Sequence, residues 1–221
     1  ALTPSMQVLE VGCGDGTFWK TNQDHIPSKI QIILSDQSDG MLRDARRSIG
    51  TTDPRFSFAA FDCEHIPYPD ASFDLVVANH VLFYCQDIVK ACKEAWRVLK
   101  PGGRFICSTY GSNHMKEVSL LVTEFDERIV LSADKLYQRF GRENGRKILS
   151  PFFENITWLS YEDALCIPDA EPLISYVLSC HGNQMQYLLD RYKEFQTFVK
   201  RKTANGFTIT KDAGIFLCEK K

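Results

Sequence analysis

The chain predicts an α/β fold, a doubly wound and mostly parallel sheet. Three observations carry that expectation. Short apolar runs alternate with stretches of helical period over the first half of the 221 residues. The first apolar run, Val8-Leu-Glu-Val-Gly-Cys-Gly-Asp-Gly-Thr17, passes directly into glycines at 12, 14 and 16. The next two apolar runs each end in an acid, Asp36 and Asp62, where such folds place ligand-facing groups.

The elements follow in order. Strand 6–11 is a buried run interrupted by one carboxylate, Glu10. A carboxylate there is costly without a partner, and a cofactor bearing an ammonium group would supply one. Gly12, Gly14 and Gly16 allow a tight turn and a close approach of backbone to ligand, and the amides opening helix 16–25 point at that ligand. The dinucleotide fingerprint requires glycine three residues after the second, where this chain has Thr17. Strand 30–35 ends at Asp36, 26 residues beyond Glu10. That spacing suits an acid on ribose hydroxyls and would serve a nicotinamide dinucleotide equally well. Helix 38–49 starts with Asp39 as a solvated cap and places Leu42 in the core. Strand 55–61 runs to Asp62 and a proline-rich loop. Strand 73–79, helix 86–99, a Lys-Pro-Gly-Gly turn and strand 103–109 complete the first half.

Four segments resemble the class I S-adenosylmethionine-dependent methyltransferases, within the broad methyltransferase type 11 set. Glu10 to Gly16 matches the E-x-G-x-G-x-G of motif I. Gln37-Ser-Asp-Gly-Met41-Leu matches the D-x-S-x-x-M-L continuation. Asp62 to Val76 matches D-x-x-x-L-P-F-P-D-x-S-F-D-x-V, and Leu99-Lys-Pro-Gly-Gly matches the turn that follows. The resemblance runs from Met6 to about Tyr110.

It implies a Rossmann-like seven-stranded sheet, mostly parallel, with an antiparallel last strand. The final two strands fall at about 153–161 and 207–219, as an antiparallel hairpin at one edge. It implies S-adenosylmethionine as cofactor and S-adenosylhomocysteine as product. Glu10 and the backbone of Gly12, Cys13, Gly14 and Gly16 would hold the methionine part. Asp36 would take the ribose hydroxyls, with Gln37 and Met41 beside the adenosine. Asp62 and the amide of Cys63 would read the adenine, since a carboxylate only accepts and the exocyclic amine only donates. Asn79 would offer its carbonyl to the cofactor ammonium, with His80 next to it. The implied reaction is in-line transfer of a methyl group to an O, N, S or C nucleophile of a small-molecule acceptor. A sulfonium is already electrophilic, so alignment and exclusion of water dominate, and a base is needed only for a protonated acceptor. On the acceptor side stand His80, Tyr84, Tyr110, His114 and Met115, with His114, Tyr110 and His80 as catalytic candidates. The family usually has a helical segment upstream of the first strand that closes over the cofactor, so a chain starting at Ala1 is expected to have a more open pocket.

Bulk properties narrow the alternatives. The formal charge of −2 argues against a nucleic-acid track. The basic clusters at Arg43, Arg46 and Arg47, at Arg139, Arg142, Arg146 and Lys147, and at Lys200 to Lys202 read as solvated helix faces. No apolar run is long enough to span a membrane, and the opening residues lack a secretory signal pattern. The eight cysteines show no C-x-x-C pair and fit a reducing cytoplasm better than disulfides or a metal site. Cys13 and Cys63 flank the expected cofactor, whereas Cys107 and Cys218 read as buried apolar groups.

The expectation is one methyltransferase domain over 1–221, monomeric or homodimeric. Helical insertions at about 113–149 and 169–202 would cap the substrate. Two other readings stand beside it: an NAD(P)-dependent oxidoreductase, and a non-catalytic S-adenosylmethionine-binding scaffold or regulatory module.

Overall fold

The computed structural model describes residues 1–131 and 135–221, without the side chain of Glu162. Seven strands form one sheet: β1 (Gln7–Val11), β2 (Gln31–Asp36), β3 (Phe56–Ala60), β4 (Phe73–Asn79), β5 (Leu99–Tyr110), β6 (Phe153–Ile167) and β7 (Phe207–Lys220). Their spatial order is β3-β2-β1-β4-β5-β7-β6. The helices are α1 (Thr17–Thr21), α2 (Asp39–Ile49), α3 (Ile88–Val98), α4 (Lys116–Phe125), α5 (Leu136–Arg139), α6 (Arg142–Leu149), α7 (Ala170–Ser179), α8 (Gln184–Leu188) and α9 (Tyr192–Thr203). The order reverses direction at β1, where β2 and β4 lie on its two sides, and ligands bind at such switch points in open α/β sheets.

Strands β1 to β5 pair in parallel, from Gln7 opposite Gln31 to Asn79 opposite Ser108. The last strand is antiparallel. Along it Gly111 N–H donates to the Asp212 carbonyl and Met115 N–H to that of Thr210, each at 2.8 Å, so rising numbers face falling ones. Toward β6, the Asn155 amide meets Glu219 at 2.7 Å while Asp163 stands 3.8 Å from Lys211, with the same opposed sense.

Chain contacts divide the protein into two compact units: 1–109 with 144–159 and 215–221, and 110–143 with 160–214. In the first unit the central parallel strands β1 and β4 are buried almost throughout, as strands covered on both faces must be, whereas the edge strand β3 is partly exposed. Val8, Ile30, Ile32 and Leu34 cluster with Trp19, Ile49 and Leu75, and Phe105 stacks on Phe153 with centroids 5.1 Å apart. Helix α2 has a wholly buried Leu42, as its periodicity predicts. Its cap is Ser38, whose hydroxyl accepts from Met41 N–H, and Asp39 is the first helical residue. The expected helix 16–25 is a five-residue α1 followed by a 3₁₀ turn at Gln23–His25.

The Lys-Pro-Gly-Gly segment lies inside β5, not before it. Phe73 pairs with Leu99 and Leu75 with Arg104, so residues 100–103 are absorbed as an irregularity between the two registers. Gly103 is required there, because a Cβ would come 2.8 Å from the Lys100 carbonyl oxygen.

In the second unit Leu121, Val122, Leu173, Val177, Phe195 and Val199 form a separate core. Phe125 packs its edge on Phe195 at 5.1 Å. Asp126 accepts from Arg128 at 2.6 Å and Arg191 at 3.2 Å, closing one end. The expected helical stretch 113–149 contains α4, α5 and α6, and Leu131 in it forms an antiparallel bridge with Gly182. Residues 132–134 of that stretch lie outside the described residues. Leu120, on the predicted apolar stripe, is 65% exposed. Residues 169–202 fold into α7, α8 and most of α9. Among the described residues no helix is long and apolar enough to cross a membrane.

Candidate functional site

The carboxyl ends of β1, β2, β3 and β4 meet around a cavity of about 570 Å³ in the first unit, within the range of small-molecule sites. It is lined by Gly12, Gly14, Asp36, Gln37, Met41, Asp62, Cys63 and His80, together with Ser38, Phe61, Glu64, Val81, Tyr84, Cys85 and Gln86.

The glycine turn is built from three different constraints. Gly12 has φ +68° and packs on Val81, where an added Cβ would come 2.4 Å from Cγ2. Gly16 has φ +74° and sits against Ala45 and Ile49, seating the start of α1 on α2. Gly14 has φ +56° with nothing within 4 Å of the Cβ position, so its open face borders the cavity. The turn is held by Cys13 N–H to the Ser35 carbonyl at 2.8 Å and Gly16 N–H to that of Cys13 at 3.1 Å.

Asp36 is fixed by two backbone donors. Gly14 N–H reaches Oδ2 at 3.0 Å and Ser38 N–H reaches Oδ1 at 2.9 Å. Each oxygen keeps a further lone pair, so the carboxylate can take two more hydrogen bonds. Asp62 is exposed and turned by Glu64 N–H donating to its Oδ1 at 2.9 Å. Buried Glu64 in turn accepts from Gln86 N–H at 2.6 Å and Asp87 N–H at 3.0 Å, tying the loop after β3 to the entry of α3. His80 has φ +51° and follows Asn79 at the end of β4, with its N–H on Ser108 Oγ at 3.0 Å. Met41 and Tyr84 border the cavity at 46% and 65% exposure.

Glu10 is placed differently. It is 1% exposed, and its carboxylate accepts from the Trp19 indole N–H and, at 2.8 Å, from the Asn79 side-chain amide. Burial raises its pKa to about 7 despite those two donors. Burial and the nearby carboxylates of Glu10 and Asp36 push the Cys13 thiol up to about 12. Glu10, Cys13, Gly16 and Asn79 are not among the residues that line the cavity. Tyr110 and His114 belong to the second unit, where their rings stack at 4.9 Å and 28°. The Met115 sulfur there accepts from the Tyr176 hydroxyl at 3.6 Å.

Sequence reasoning missed Trp19, Glu64, Val81, Cys85 and Gln86. Trp19 carried one readable signal, an indole nine residues after an isolated buried acid. The others sit in loops whose approach depends on tertiary packing.

The sheet order, the glycine turn and the strand-end carboxylate of Asp36 define an α/β protein of the class that holds ligands at the carboxyl ends of its strands. Residues 9–107 match the family described as Methyltransferase domain, so the likeness covers somewhat under half of the chain. Malonyl-[acyl-carrier protein] O-methyltransferase of Geobacter sulfurreducens is 36% identical over 112 residues, 51% of this chain and 41% of that protein. Demethylmenaquinone methyltransferase of Deinococcus radiodurans is 36% identical over 100 residues, 45% of this chain and 41% of that protein. The chain thus spans about two fifths of the length of these curated relatives. Among solved structures, the YcgJ protein from Bacillus subtilis aligns with TM-score 0.62 at 18% identity, covering 100% of this chain and 94% of its own. Haemonchus contortus phosphoethanolamine N-methyltransferase 2, solved with phosphomonomethylethanolamine and S-adenosylhomocysteine, gives TM-score 0.60 at 19% identity, covering 100% of this chain and 50% of its own. At such identities these structures establish the fold.

Proposed function

We propose that the protein binds S-adenosylmethionine in the cavity at the carboxyl ends of β1 to β4 and transfers its methyl group to a small-molecule acceptor. The observation that carries this reading is the pairing of the open face of Gly14 with the Asp36 carboxylate, whose two oxygens each retain accepting capacity toward the same cavity. A vicinal diol fits such a carboxylate, and a chain of atoms fits over a glycine lacking any neighbour at its Cβ position. When bound, the cofactor supplies an electrophilic methyl group on a sulfonium.

The residues have the following roles. Asp36 orients the ribose through both oxygens, with Gln37 and Met41 flanking the adenosine. Asp62 accepts from the adenine amine, beside Cys63. Gly12 and Gly14 bring the backbone close to the methionine part, and Cys13 and Gly16 hold the turn behind them. Glu10 and Asn79 set the electrostatics beneath it, and a cationic ammonium above a buried carboxylate would favour the ionised form of Glu10. Acceptor choice falls to the stretches at about 113–149 and 169–202, with His114, Tyr110 and His80 as candidates for handling an acceptor proton. A soluble cytoplasmic setting, as monomer or homodimer, suits eight free cysteines.

Calorimetric titration with S-adenosylmethionine, S-adenosylhomocysteine and NAD(H) tests the reading. Micromolar binding of the sulfur ligands alone is expected. Asp36→Ala should weaken it by about 1–3 kcal/mol through lost charge-assisted hydrogen bonds. NAD(H) binding would favour the oxidoreductase reading. Tight cofactor binding without turnover on a broad acceptor panel would favour a scaffold. Full turnover of His114→Gln across pH 6 to 9 would remove His114 as a base.

A further inference from the structure

Two cysteines far apart in sequence meet in the wall of the cofactor cavity. The Cys63 and Cys85 sulfurs are 3.4 Å apart, and both residues line the cavity. Cys63 lies in the loop after β3, and Cys85 closes the 3₁₀ turn Leu82–Tyr84 after β4. Their approach is built into the backbone. The Glu64 carboxylate, next to Cys63, grips the N–H groups of Gln86 and Asp87, next to Cys85. Glu64 is only 8% exposed, so this clamp works away from bulk water. A disulfide needs about 2.05 Å between sulfurs, so closing the pair requires the two atoms to approach by about 1.4 Å.

We propose that Cys63 and Cys85 form a redox-modifiable dithiol, which small-molecule disulfides convert to a Cys63–Cys85 disulfide that opposes cofactor binding. The coupling to cofactor rests on the function proposed above, whereas the dithiol rests on geometry alone. In the first step one of the two thiolates attacks one sulfur of the oxidant and displaces one thiolate. The other thiolate then attacks the protein sulfur of that mixed disulfide and displaces the second. One disulfide is consumed and one made, and the two thiol protons go to the two released thiolates. The two thiols share one hydrogen bond, and Cys63 is the less buried of the two.

The coupling follows from position. Cys63 directly follows Asp62, and drawing its side chain onto Cys85 moves the backbone that presents Asp62 to the cavity. If the disulfide weakens the cofactor, the cofactor must disfavour the disulfide by the same factor.

The test equilibrates the reduced chain in buffers of stated reduced and oxidised glutathione. Intact mass and peptide mapping read the bond, and calorimetry with S-adenosylhomocysteine reads the site. Expected are loss of two hydrogens, a linked Cys63–Cys85 peptide, and roughly tenfold weaker binding by the oxidised form. Saturating S-adenosylhomocysteine should shift the redox midpoint toward more oxidised glutathione. Cys85→Ser should lose the linked peptide and the midpoint. Should that variant not fold, Cys63→Ser gives the same readout. Glutathione attached to Cys63 or another cysteine without an internal bond would overturn the proposal. An internal bond that leaves affinity unchanged would overturn the coupling. If the reduced protein binds no S-adenosylhomocysteine, the cofactor reading fails, while the mapped disulfide still decides the dithiol.

Discussion

Glu10 should make the protein less stable as pH rises through neutrality, and Glu10→Gln should abolish that slope. The carboxyl is 1% exposed and its pKa stands at about 7 in the fold, against 4.5 ordinarily, with burial the largest cause. A carboxyl with a raised folded pKa keeps its proton in the fold where the unfolded chain has already lost it. Its contribution is therefore fully present below about pH 4.5 and is lost as pH rises through about 7. The separation of the two pKa values corresponds to about 3 kcal/mol in all, of which about 2.5 kcal/mol falls between pH 5 and 8. Glutamine imitates the protonated acid. Its carbonyl can accept from the Trp19 indole, and its amide can donate to Asn79 once the Asn79 amide turns over. Urea unfolding of both proteins at pH 5, 6, 7 and 8 checks this, because groups common to both cancel in the difference. Wild type should fall relative to Glu10→Gln by about 2.5 kcal/mol from pH 5 to pH 8. Parallel stability curves would refute the reasoning, and would mean that Trp19 and Asn79 keep Glu10 ionised despite its burial.

Three further outcomes are expected. Gly12→Ala forces a side chain into a left-handed conformation and onto Val81. It should cost about 1–2 kcal/mol for the backbone and 1–3 kcal/mol for overpacking, measured by thermal unfolding, with the second part recovered by adding Val81→Ala. Phe195→Ala empties the core of the second unit, where Phe195 is wholly buried, and should cost about 3–5 kcal/mol in denaturant unfolding. Tyr84→Ala removes a largely exposed ring from the cavity rim. It should weaken S-adenosylhomocysteine binding in calorimetry with a change in unfolding free energy within about 0.5 kcal/mol.

Local patterns determined much of this protein. Alternating apolar runs and helical stripes placed β1 to β4, α2 and α3 to within about two residues, because these elements bury whole faces that the sequence must spell out as periodicity. The glycine turn and the strand-end acids Asp36 and Asp62 were readable for the same kind of reason: backbone conformation and strand-end position demand particular residue types. The second half was less legible. The 113–149 stretch reads as helical, yet among the described residues it breaks into α4, α5, α6 and a bridge from Leu131 to Gly182, a contact distant in sequence.

Tertiary structure alone decided how the polar groups are partnered. The sequence predicts Asp39 as the cap of helix 38–49, and backbone geometry makes Ser38 the cap instead. A buried Glu10 called for a partner, and only packing supplied Trp19 and Asn79 from α1 and β4. Cys63 and Cys85 stand 22 residues apart in the chain and carry no mutual signal in it, yet the Glu64 clamp brings their sulfurs together. Periodicity reports which face is buried, because burial acts on each residue separately. Hydrogen-bond partnership depends on where two loops cross, which is fixed only when the whole sheet has closed around them.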